Sequence, residues 1–262
     1  MIRTQFKGIG SYVPERVVTN DELRYLNDKH ERCDEIQTET NDEWIVARTG
    51  IKERRYVPND ASMACSDLGV KAAEAAIADA GIDANDVDCI IFATLSPDIH
   101  FPGSGVFMQK KLGINGNNCP SYDIRQQCSG FVYGLHMADS FIKCGHYKNV
   151  LLVGAELHSH SLDYTTRGRD VAVLFGDGAG AVVLGPTETD DDKSGVIYTK
   201  CYSDGDGAMD LYLEVFRINE LPYLNYDPKD REVNARMYPQ MKGKRVFLNA
   251  VRCMVKIGRA HV

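Results

Sequence analysis

The 262-residue sequence contains no run of about 18 uncharged apolar residues, the length that a membrane-spanning helix needs. Residues 1–7 are polar, where a secretory signal peptide needs a long apolar stretch. No Cys-x-x-Cys pair occurs, so the usual spacing of a zinc knuckle is missing. No stripe of clustered Lys and Arg occurs either, although binding to nucleic-acid phosphates requires one. We therefore expect a cytoplasmic protein that engages no membrane and no nucleic acid.

The composition places the chain among globular proteins. Hydrophobic residues make up 44% of it, and 30 Lys and Arg stand against 37 Asp and Glu, for a net charge of −7. A disordered chain would have fewer apolar residues and a larger net charge for its length. The eight cysteines are dispersed, and in a reducing cytoplasm most of them are expected to be small buried hydrophobes.

Hydrophobic patterns predict strands that alternate with helices, and hence an α/β fold with a mainly parallel sheet covered on both faces. The helix 62–80 is rich in alanine, and its small side chains predict close packing against a sheet. The acidic segment 187–194 is a linker or a solvated turn, and 204–240 is a long irregular loop of a kind that is usually functional or mobile. The predicted strands are 6–12, 87–94, 122–125, 150–154, 171–175 and 179–184. One short predicted helix begins at Asn20, and the other predicted helices cover 41–48, 62–80, 105–112 and 129–144.

One cysteine stands apart because it lies between a predicted strand, 122–125, and a long predicted helix, 129–144. A thiol at a helix N-terminus is close to unpaired backbone N–H groups, which favour the thiolate. Gly130 and Gly134 allow the backbone or a substrate to approach closely. These features make Cys128 the candidate nucleophile.

Two other motifs are rejected as ligand sites. The glycine-rich run 175–181 lacks Gly at the sixth position of a dinucleotide fingerprint, and a predicted strand follows it instead of a helix. We expect tight strand packing there rather than a phosphate site. Glu156, His158 and His160 alternate in an extended segment, but no further ligand motif supports them. No metal site and no tightly bound cofactor are therefore expected.

Four sequence runs, taken together, point to one enzyme family. They are 41–54 (NDEWIVARTGIKER), 100–102 (HFP), 127–131 (QCSGF) and 175–181 (FGDGAGA). With them the chain resembles the β-ketoacyl-acyl-carrier-protein synthase III family of thiolase-like condensing enzymes, from Gly8 to about Lys256. The resemblance implies a layered αβαβα fold, of which the first half is complete and the second half only begun.

The resemblance implies an acyltransferase that initiates fatty-acid biosynthesis. Cys128 would attack an acyl-coenzyme A thioester and hold the acyl group. Malonyl-acyl carrier protein would lose CO2, and its carbanion would attack the acyl-cysteine to give 3-oxoacyl-acyl carrier protein. The backbone N–H of Cys128 would form half of the oxyanion hole. The implied partners are acyl carrier protein, acyl-coenzyme A and a second copy of the chain in a homodimer.

The resemblance also assigns contacts with coenzyme A, which is a substrate here. Trp44 would stack on the adenine, and Arg169 would lie on the other side of that ring. Arg167 is a second candidate for this role, because the run Arg-Gly-Arg blurs the register. Phe101 would close the acyl pocket of the partner subunit. The remaining coenzyme contacts implied by the resemblance are Thr40, Arg48, Gly243 and Phe247.

The sequence departs from the family in its last part. The family completes its site with a His and an Asn from the C-terminal half, and their motifs do not occur in this chain. Residues 257–262 resemble a translated sequencing adapter, and we expect them to be an artefact. We therefore divide the chain into an N-terminal half at 1–186, the start of a C-terminal half at 187–256, and this tail. We expect the 262-residue chain to be inactive in condensation.

Other functions remain open at this point. One alternative is a related condensing enzyme that joins two acyl-coenzyme A molecules head to head, makes hydroxymethylglutaryl-coenzyme A, or starts a quinolone or polyketide. Another is a non-catalytic protein that docks a carrier protein. Lys242, Lys244 and Arg245 would suit an acidic carrier protein, although a solvated basic turn is the simpler explanation.

Overall fold

The computed structural model describes residues 2–27, 29, 31–58, 60, 62–114, 118–188, 194–215, 227 and 230–259. The chain forms two compact units. The first, called the sheet unit, consists of Met1–Val17, Arg55–His158 and Gly176–Tyr202. The other, called the second unit, consists of Val18–Arg54, Ser159–Phe175 and Ser203–Val262.

Strands and helices alternate along the chain, as predicted. The strands are β1 (Ile2–Tyr12), β2 (Arg16–Thr19), β3 (Glu53–Tyr56), β4 (Cys89–Ala93), β5 (Ser121–Ile124), β6 (Val150–Leu157), β7 (Asp177–Glu188), β8 (Leu211–Tyr212) and β9 (Gln240–Met241). The helices are α1 (Asn20–Leu23), α2 (Asp42–Thr49), α3 (Cys65–Ala80), α4 (Gly105–Lys111), α5 (Gly130–Lys143), α6 (Arg169–Ala172), α7 (Arg231–Ala235) and α8 (Gly243–Arg259). Two further pairs of strands, β2 with β3 and β8 with β9, form small sheets.

A five-stranded sheet in the order β1-β7-β6-β4-β5 forms the centre of the sheet unit. β4 runs parallel to both β5 and β6, whereas β7 runs antiparallel to β6 and to β1. The expectation of a mainly parallel sheet is therefore wrong, because the sheet is half parallel and half antiparallel. A nearly continuous apolar run indicates that a strand is buried on both faces, but it does not determine the strand's direction.

Helices cover both faces of this sheet, as predicted. Alternate residues of each central strand point to opposite faces, so β4 and β6 contribute to two separate cores. On one face, α3 packs in a cluster that includes Leu68, Ala72, Ala76, Ile90, Phe92, Leu151 and Val153. On the other face, α5 packs in a cluster that includes Ala138, Ile142, Ile91, Leu152 and Val182.

The backbones of β1 and α3 lie in direct contact. A Cβ added to Gly10 would overlap the carbonyl oxygen of Ala72 and the backbone nitrogen of Ala76. A Cβ on Gly8 would overlap the backbone of α3 one turn further along. Glycine in the strand and alanine in the helix together allow this approach. The predicted close packing of the alanine-rich helix against a sheet is confirmed.

We expect the substitution Gly10→Ala to lower the free energy of unfolding by about 1–3 kcal/mol, because the new methyl group must displace backbone rather than a flexible side chain. Gly180→Ala in β7 is the matched control, since a Cβ there meets nothing within 4 Å. Urea unfolding of the two variants measures the difference. Equal stabilities would contradict the close contact between β1 and α3.

The predicted strand 171–175 is wrong. A single 3-10 turn, Thr166–Gly168, leads into α6 instead. Val171 is buried, and the carbonyl oxygen of Val173 accepts a hydrogen bond of 3.3 Å from the guanidinium group of Arg54 rather than from a neighbouring strand. A short apolar run is compatible with a buried helix as well as with a strand, so the pattern alone did not separate the two.

Several predictions fall partly outside the described residues. These are the acidic segment 187–194, of which 189–193 are not described, the loop 204–240, and the last residues of the tail, 260–262. The described part of 204–240 contains β8, α7 and the first residue of β9. The predicted division of the chain at residue 187 stays a prediction. Within the described part of the chain, no helix is both long and apolar enough to span a membrane.

Candidate active site

Cys128 lies on a short 3-10 helix, Gln127–Ser129, that connects β5 to α5. This confirms its predicted position between a strand and a long helix. α5 begins at Gly130, two residues after the cysteine, so the N-terminal end of this helix, where the positive end of its dipole lies, follows directly. The side chain of Cys128 is exposed, and its thiol is therefore accessible to a substrate.

The backbone around the thiol is held in an unusual conformation. Gln127 has a φ of 49°, which is uncommon for a residue other than glycine. Such backbone strain costs on the order of 1–3 kcal/mol and occurs preferentially at functional sites. A Cβ on Gly130 would lie 3.1 Å from the Cβ of Ala93, and a Cβ on Gly134 would overlap Leu152. These two glycines therefore bring α5 close to the sheet, which fixes the position of the turn before it.

Three other cysteines are buried, and burial lowers their acidity. Burial raises the pKa of Cys65 and of Cys89 to about 12 and that of Cys119 to about 11. The cause is the loss of hydration of the thiolate in an apolar environment. These thiols stay protonated and unreactive at neutral pH.

We expect Cys128 to be the most readily alkylated of the eight cysteines. Cys144 is a matched comparison within the protein, because it is also exposed but caps the C-terminus of the same helix, α5. The N-terminal end of a helix favours an anion and the C-terminal end disfavours it. Labelling with limiting iodoacetamide at neutral pH, followed by mass spectrometry, measures the order. Earlier labelling of Cys144, Cys253 or Cys65 would contradict the assignment.

Phe101 lies in a loop whose C-terminal end is fixed by the hydrogen bonds of Ser104. The hydroxyl of Ser104 donates to the carboxylate of Asp98 at 3.0 Å and accepts from the backbone N–H of Asp98, also at 3.0 Å. The backbone N–H of Ser104 donates to Asp123 at 2.6 Å. The side chain of Phe101 is 85% exposed, so nearly all of its apolar surface is available to another molecule.

The second unit carries Trp44 in the first turn of α2. The side chain of Asn41 caps this helix by accepting a hydrogen bond of 2.7 Å from the backbone N–H of Trp44. Gly50, with a φ of 73°, ends the helix. The buried side chain of Asn20 donates to the carboxylate of Asp42 at 2.7 Å and so anchors the start of α2. Trp44 itself is partly exposed.

Two guanidinium groups approach the ring of Trp44. The Cζ atom of Arg48 lies 4.2 Å from the ring centroid, and that of Arg169 lies 4.8 Å from it. Both distances are within the range of a cation–π contact. Arg167, the second candidate for the adenine contact, is instead paired with Asp163, with 2.5 Å between Nε and the carboxylate. The structure therefore brings Arg169, and not Arg167, to the face of Trp44.

The segment before α2 is tied to the segment that carries Arg169. Thr38 donates its hydroxyl to the carbonyl oxygen of Tyr164 at 2.5 Å, and the backbone N–H of Glu39 donates to the hydroxyl of Thr166 at 3.0 Å. Arg169 donates to the carbonyl oxygen of Glu39 at 3.0 Å. These bonds hold Trp44 and Arg169 together although they are distant in sequence.

A cavity of about 290 Å³ lies beside Trp44. Two buried polar atoms of residues in its wall, Oγ1 of Thr40 and Nε of Arg24, have no hydrogen-bond partner. Buried polar atoms are nearly always paired, so this wall is suited to a polar ligand. Thr40 was predicted from the family resemblance, whereas Arg24 and Ile36 belong to no motif and were not predicted. The lining residues are Arg24, Ile36, Glu39, Thr40, Asn41 and Trp44.

The other two predicted coenzyme residues lie on α8. Gly243 is the first residue of that helix, and Phe247 lies about one turn later with 66% of its surface exposed. Neither is among the described residues that line the cavity beside Trp44. Their assignment as coenzyme contacts stays a prediction.

The two rejected motifs have structural roles. The carboxylate of Glu156 accepts hydrogen bonds from the backbone N–H of Leu95 at 2.9 Å and from the hydroxyl of Ser96 at 2.7 Å. Among the residues that the structure describes, no group of three or more His, Cys, Asp and Glu could hold a metal ion. The glycine-rich run 175–181 enters β7, and the carboxylate of Asp177 accepts from the backbone N–H of Val57 at 2.8 Å. The run belongs to a strand that pairs with β1 and β6, as expected, but the packing is not tight throughout, because a Cβ on Gly180 would meet nothing within 4 Å.

Comparison with known proteins gives consistent matches. The family described as 3-Oxoacyl-[acyl-carrier-protein (ACP)] synthase III matches residues 122–205, which include Cys128 and Arg169. The chain is 43% identical over 250 residues to Beta-ketoacyl-[acyl-carrier-protein] synthase III 1 of Vibrio vulnificus (strain YJ016), covering 95% of this chain and 68% of the relative. It is 48% identical over 205 residues to Beta-ketoacyl-[acyl-carrier-protein] synthase III of Ehrlichia canis (strain Jake), covering 78% of this chain and 58% of the relative.

A solved structure shows the same fold. The crystal structure of 3-oxoacyl-[acyl-carrier-protein] synthase III from Aquifex aeolicus VF5 superposes with a TM-score of 0.78 at 36% identity, over 98% of this chain and 70% of that chain. The predicted thiolase-like α/β fold class is confirmed. The chain spans between 58% and 70% of the lengths of these three relatives.

Proposed function

Because the chain belongs to the 3-oxoacyl-[acyl-carrier-protein] synthase III family, we propose that its site serves the joining of an acyl-coenzyme A primer to malonyl-acyl carrier protein at the start of fatty-acid synthesis. Acylation of Cys128 is the step expected of the 262-residue chain itself. The thiolate of Cys128 attacks the thioester carbonyl, and the coenzyme A sulfur leaves with its electron pair and takes up a proton. The malonyl group then loses CO2, and the resulting carbanion attacks the acyl-cysteine. The Cys128 thiolate leaves, and the product is 3-oxoacyl-acyl carrier protein.

The observation that carries this proposal is the position of Cys128. An exposed thiol follows a strained residue, Gln127, and immediately precedes the first turn of α5. The positive end of the helix dipole favours a thiolate at this position. The backbone N–H of Cys128 is in addition a donor to the oxyanion that forms when the thioester carbonyl is attacked.

The second unit supports coenzyme A as a substrate. Its cavity combines the aromatic face of Trp44 with unpaired polar atoms on Thr40 and Arg24. The guanidinium groups of Arg48 and Arg169 lie next to the same aromatic ring. An adenine base can stack on the indole, and the three arginines provide positive charge for the phosphates. In this proposal coenzyme A is released after each acyl transfer and is not a tightly bound cofactor.

The partners belong to the same proposal. Acyl carrier protein delivers the malonyl group, and two copies of the chain form a homodimer. β5 is an edge strand of the sheet, and symmetric pairing of such an edge is a common way to build a dimer. The exposed ring of Phe101 would then close the acyl pocket of the partner subunit. A cytoplasmic location is consistent with the free thiols of all eight cysteines.

The test separates acylation from condensation. Purified protein is incubated with radiolabelled acetyl-coenzyme A, and the label is located by proteolysis and mass spectrometry. We expect the label on Cys128. If condensation proceeds, addition of malonyl-acyl carrier protein should convert the labelled acyl group into labelled 3-oxoacyl product. Consumption of two acyl-coenzyme A molecules without malonyl-acyl carrier protein would identify a head-to-head condensing enzyme instead. The inactivity of the 262-residue chain in condensation stays a prediction, and the acylation step is measured independently of it.

A further inference from the structure

The backbone of Arg24 is hydrogen-bonded to the segment just before Thr40, a residue that lines the cavity beside Trp44. Its carbonyl oxygen accepts hydrogen bonds from the backbone N–H groups of Gln37, at 2.8 Å, and Thr38, at 3.2 Å. At the next residue, the carbonyl oxygen of Tyr25 accepts from the N–H of Cys33 at 2.8 Å. The residues after α1 and the residues before Thr40 therefore pair with each other, and this pairing places Arg24 in the wall of the cavity.

The side chain of Arg24 is left with an unused donor. It lines the cavity of about 290 Å³ beside Trp44, and its Nε atom is buried without a hydrogen-bond partner. Its Cζ atom lies 5.8 Å from the ring centroid of Tyr25, a contact that orients the guanidinium group without using its N–H donors. A buried N–H of a cation that finds no acceptor is costly, and a ligand with an acceptor removes that cost.

The other residues at the cavity indicate which ligand would supply the acceptor. The hydroxyl of Thr40 is a second buried and unpartnered group in the same wall. Trp44 provides a flat apolar face, and Arg48 and Arg169 lie against it. Glu39 is the one acidic residue among the described residues in the lining, and it is exposed. This combination favours an aromatic base that carries hydrogen-bond acceptors and a negative charge.

We infer that Arg24 donates its Nε–H to a hydrogen-bond acceptor on the 3′-phosphoadenosine end of coenzyme A, and thereby selects coenzyme A thioesters over thioesters that carry pantetheine alone. This inference rests on the proposed function. A carrier protein presents its acyl group on phosphopantetheine without the nucleoside. Arg24 therefore favours the binding of the primer in the first step and contributes nothing to the binding of the malonyl carrier in the second.

The experiment uses the fluorescence of Trp44, which is the single tryptophan of the sequence. Coenzyme A, 3′-dephospho-coenzyme A and pantetheine are titrated into the unaltered protein and its variants. Arg24→Met removes the donor at similar length, and Arg24→Lys retains the charge but lacks the Nε–H group. Arg32→Met is the matched control, because Arg32 lies over the same Tyr25 ring at 4.7 Å but is not in the cavity lining. Thermal melting of each variant checks that it is folded.

We expect Arg24→Met and Arg24→Lys to weaken coenzyme A binding by about 10-fold or more, as for a lost hydrogen bond to a charged group. Arg32→Met should bind as the unaltered protein does, and the dissociation constant of pantetheine should not change in any variant. If the Arg24 variants also lose affinity for 3′-dephospho-coenzyme A, the acceptor lies on the base or the ribose. If they bind 3′-dephospho-coenzyme A as the unaltered protein does, the acceptor is the 3′-phosphate.

Three outcomes overturn the inference. In the first, the Arg24 variants bind coenzyme A as tightly as the unaltered protein. In the second, Arg32→Met loses as much affinity as they do. In the third, pantetheine binding falls in parallel with coenzyme A binding. If the unaltered protein binds no coenzyme A at all, the proposed function fails together with the inference, whereas the other outcomes leave the proposed function standing. If Arg24→Met does not fold, the comparison of Arg24→Lys with Arg32→Met decides.

Discussion

Replacement of Cys128 by alanine is expected to lower acyl transfer from acetyl-coenzyme A by more than about 1000-fold, a typical loss when a nucleophile is removed. In the proposed mechanism the acyl group is held by a covalent bond to the sulfur of Cys128, so the acyl-enzyme cannot form without it. The three cysteines at the core, Cys65, Cys89 and Cys119, cannot substitute, since they are buried and their raised pKa values keep them protonated.

Radiolabel incorporation from acetyl-coenzyme A measures this loss. Cys144→Ala is the matched control, because it removes an exposed thiol from the other end of α5 and should leave the labelling unchanged. Cys128→Ser should also be inactive, since a hydroxyl group is far less ionised than a thiol at neutral pH. Normal labelling of Cys128→Ala would show that the nucleophile lies elsewhere in the chain.

The substitution Trp44→Ala is expected to weaken coenzyme A binding by about 5- to 150-fold. This corresponds to the ~1–3 kcal/mol that a base gains when it stacks on an aromatic side chain. Trp44→Phe retains an aromatic face and should lose less. Calorimetry is the appropriate measurement, because both variants lack the only tryptophan and their binding cannot be followed by its fluorescence. Unchanged binding by Trp44→Ala would remove adenine stacking from the proposed function.

Arg169 is expected to contribute less than Trp44 to the same binding. Its Cζ atom lies 4.8 Å from the centroid of the indole, whereas a base held between two flat groups needs about 7 Å, or two contacts of about 3.5 Å. The guanidinium group must therefore move away from Trp44 before a base can enter. Arg169→Ala removes a contact with the base and also a group that competes for the indole, and these effects oppose each other. A larger loss in Arg169→Ala than in Trp44→Ala would contradict this order.

Local sequence signals were sufficient to predict most of the helices and strands. The helix predicted from residue 41 is α2, which Asn41 caps, and the helix predicted to end at residue 80 is α3, which ends there and is capped by Gly81 with a φ of 65°. The position of Cys128 between a strand and a helix followed from the same kind of signal. These features depend on residues that are within a few positions of each other, and the backbone conformation there is set by their own hydrogen bonds and sterics.

Other features were decided by contacts between distant parts of the chain. The apolar run 171–175 forms a helix and a turn because its packing and the Arg54 hydrogen bond stabilise that conformation. The sheet contains both parallel and antiparallel pairs because β7 runs antiparallel to β6 and to β1, a direction that the apolar pattern of these strands does not determine. The resemblance favoured Arg169 over Arg167, and the structure adds that the guanidinium group of Arg169 is the one that reaches Trp44.

The sequence by itself determined the α/β class, through the alternation of its strand and helix patterns, and the candidate nucleophile, through its position between a strand and a helix. Trp44 was identified by the family resemblance, which depends on a short run of residues. Only the tertiary structure revealed that Arg24 lines the cavity beside Trp44 and has an unpaired donor. Its position results from hydrogen bonds to Gln37 and Thr38, more than ten residues away. No local pattern of charge or hydrophobicity specifies which long side chain fills a cavity wall, since that depends on how separate segments pair in three dimensions.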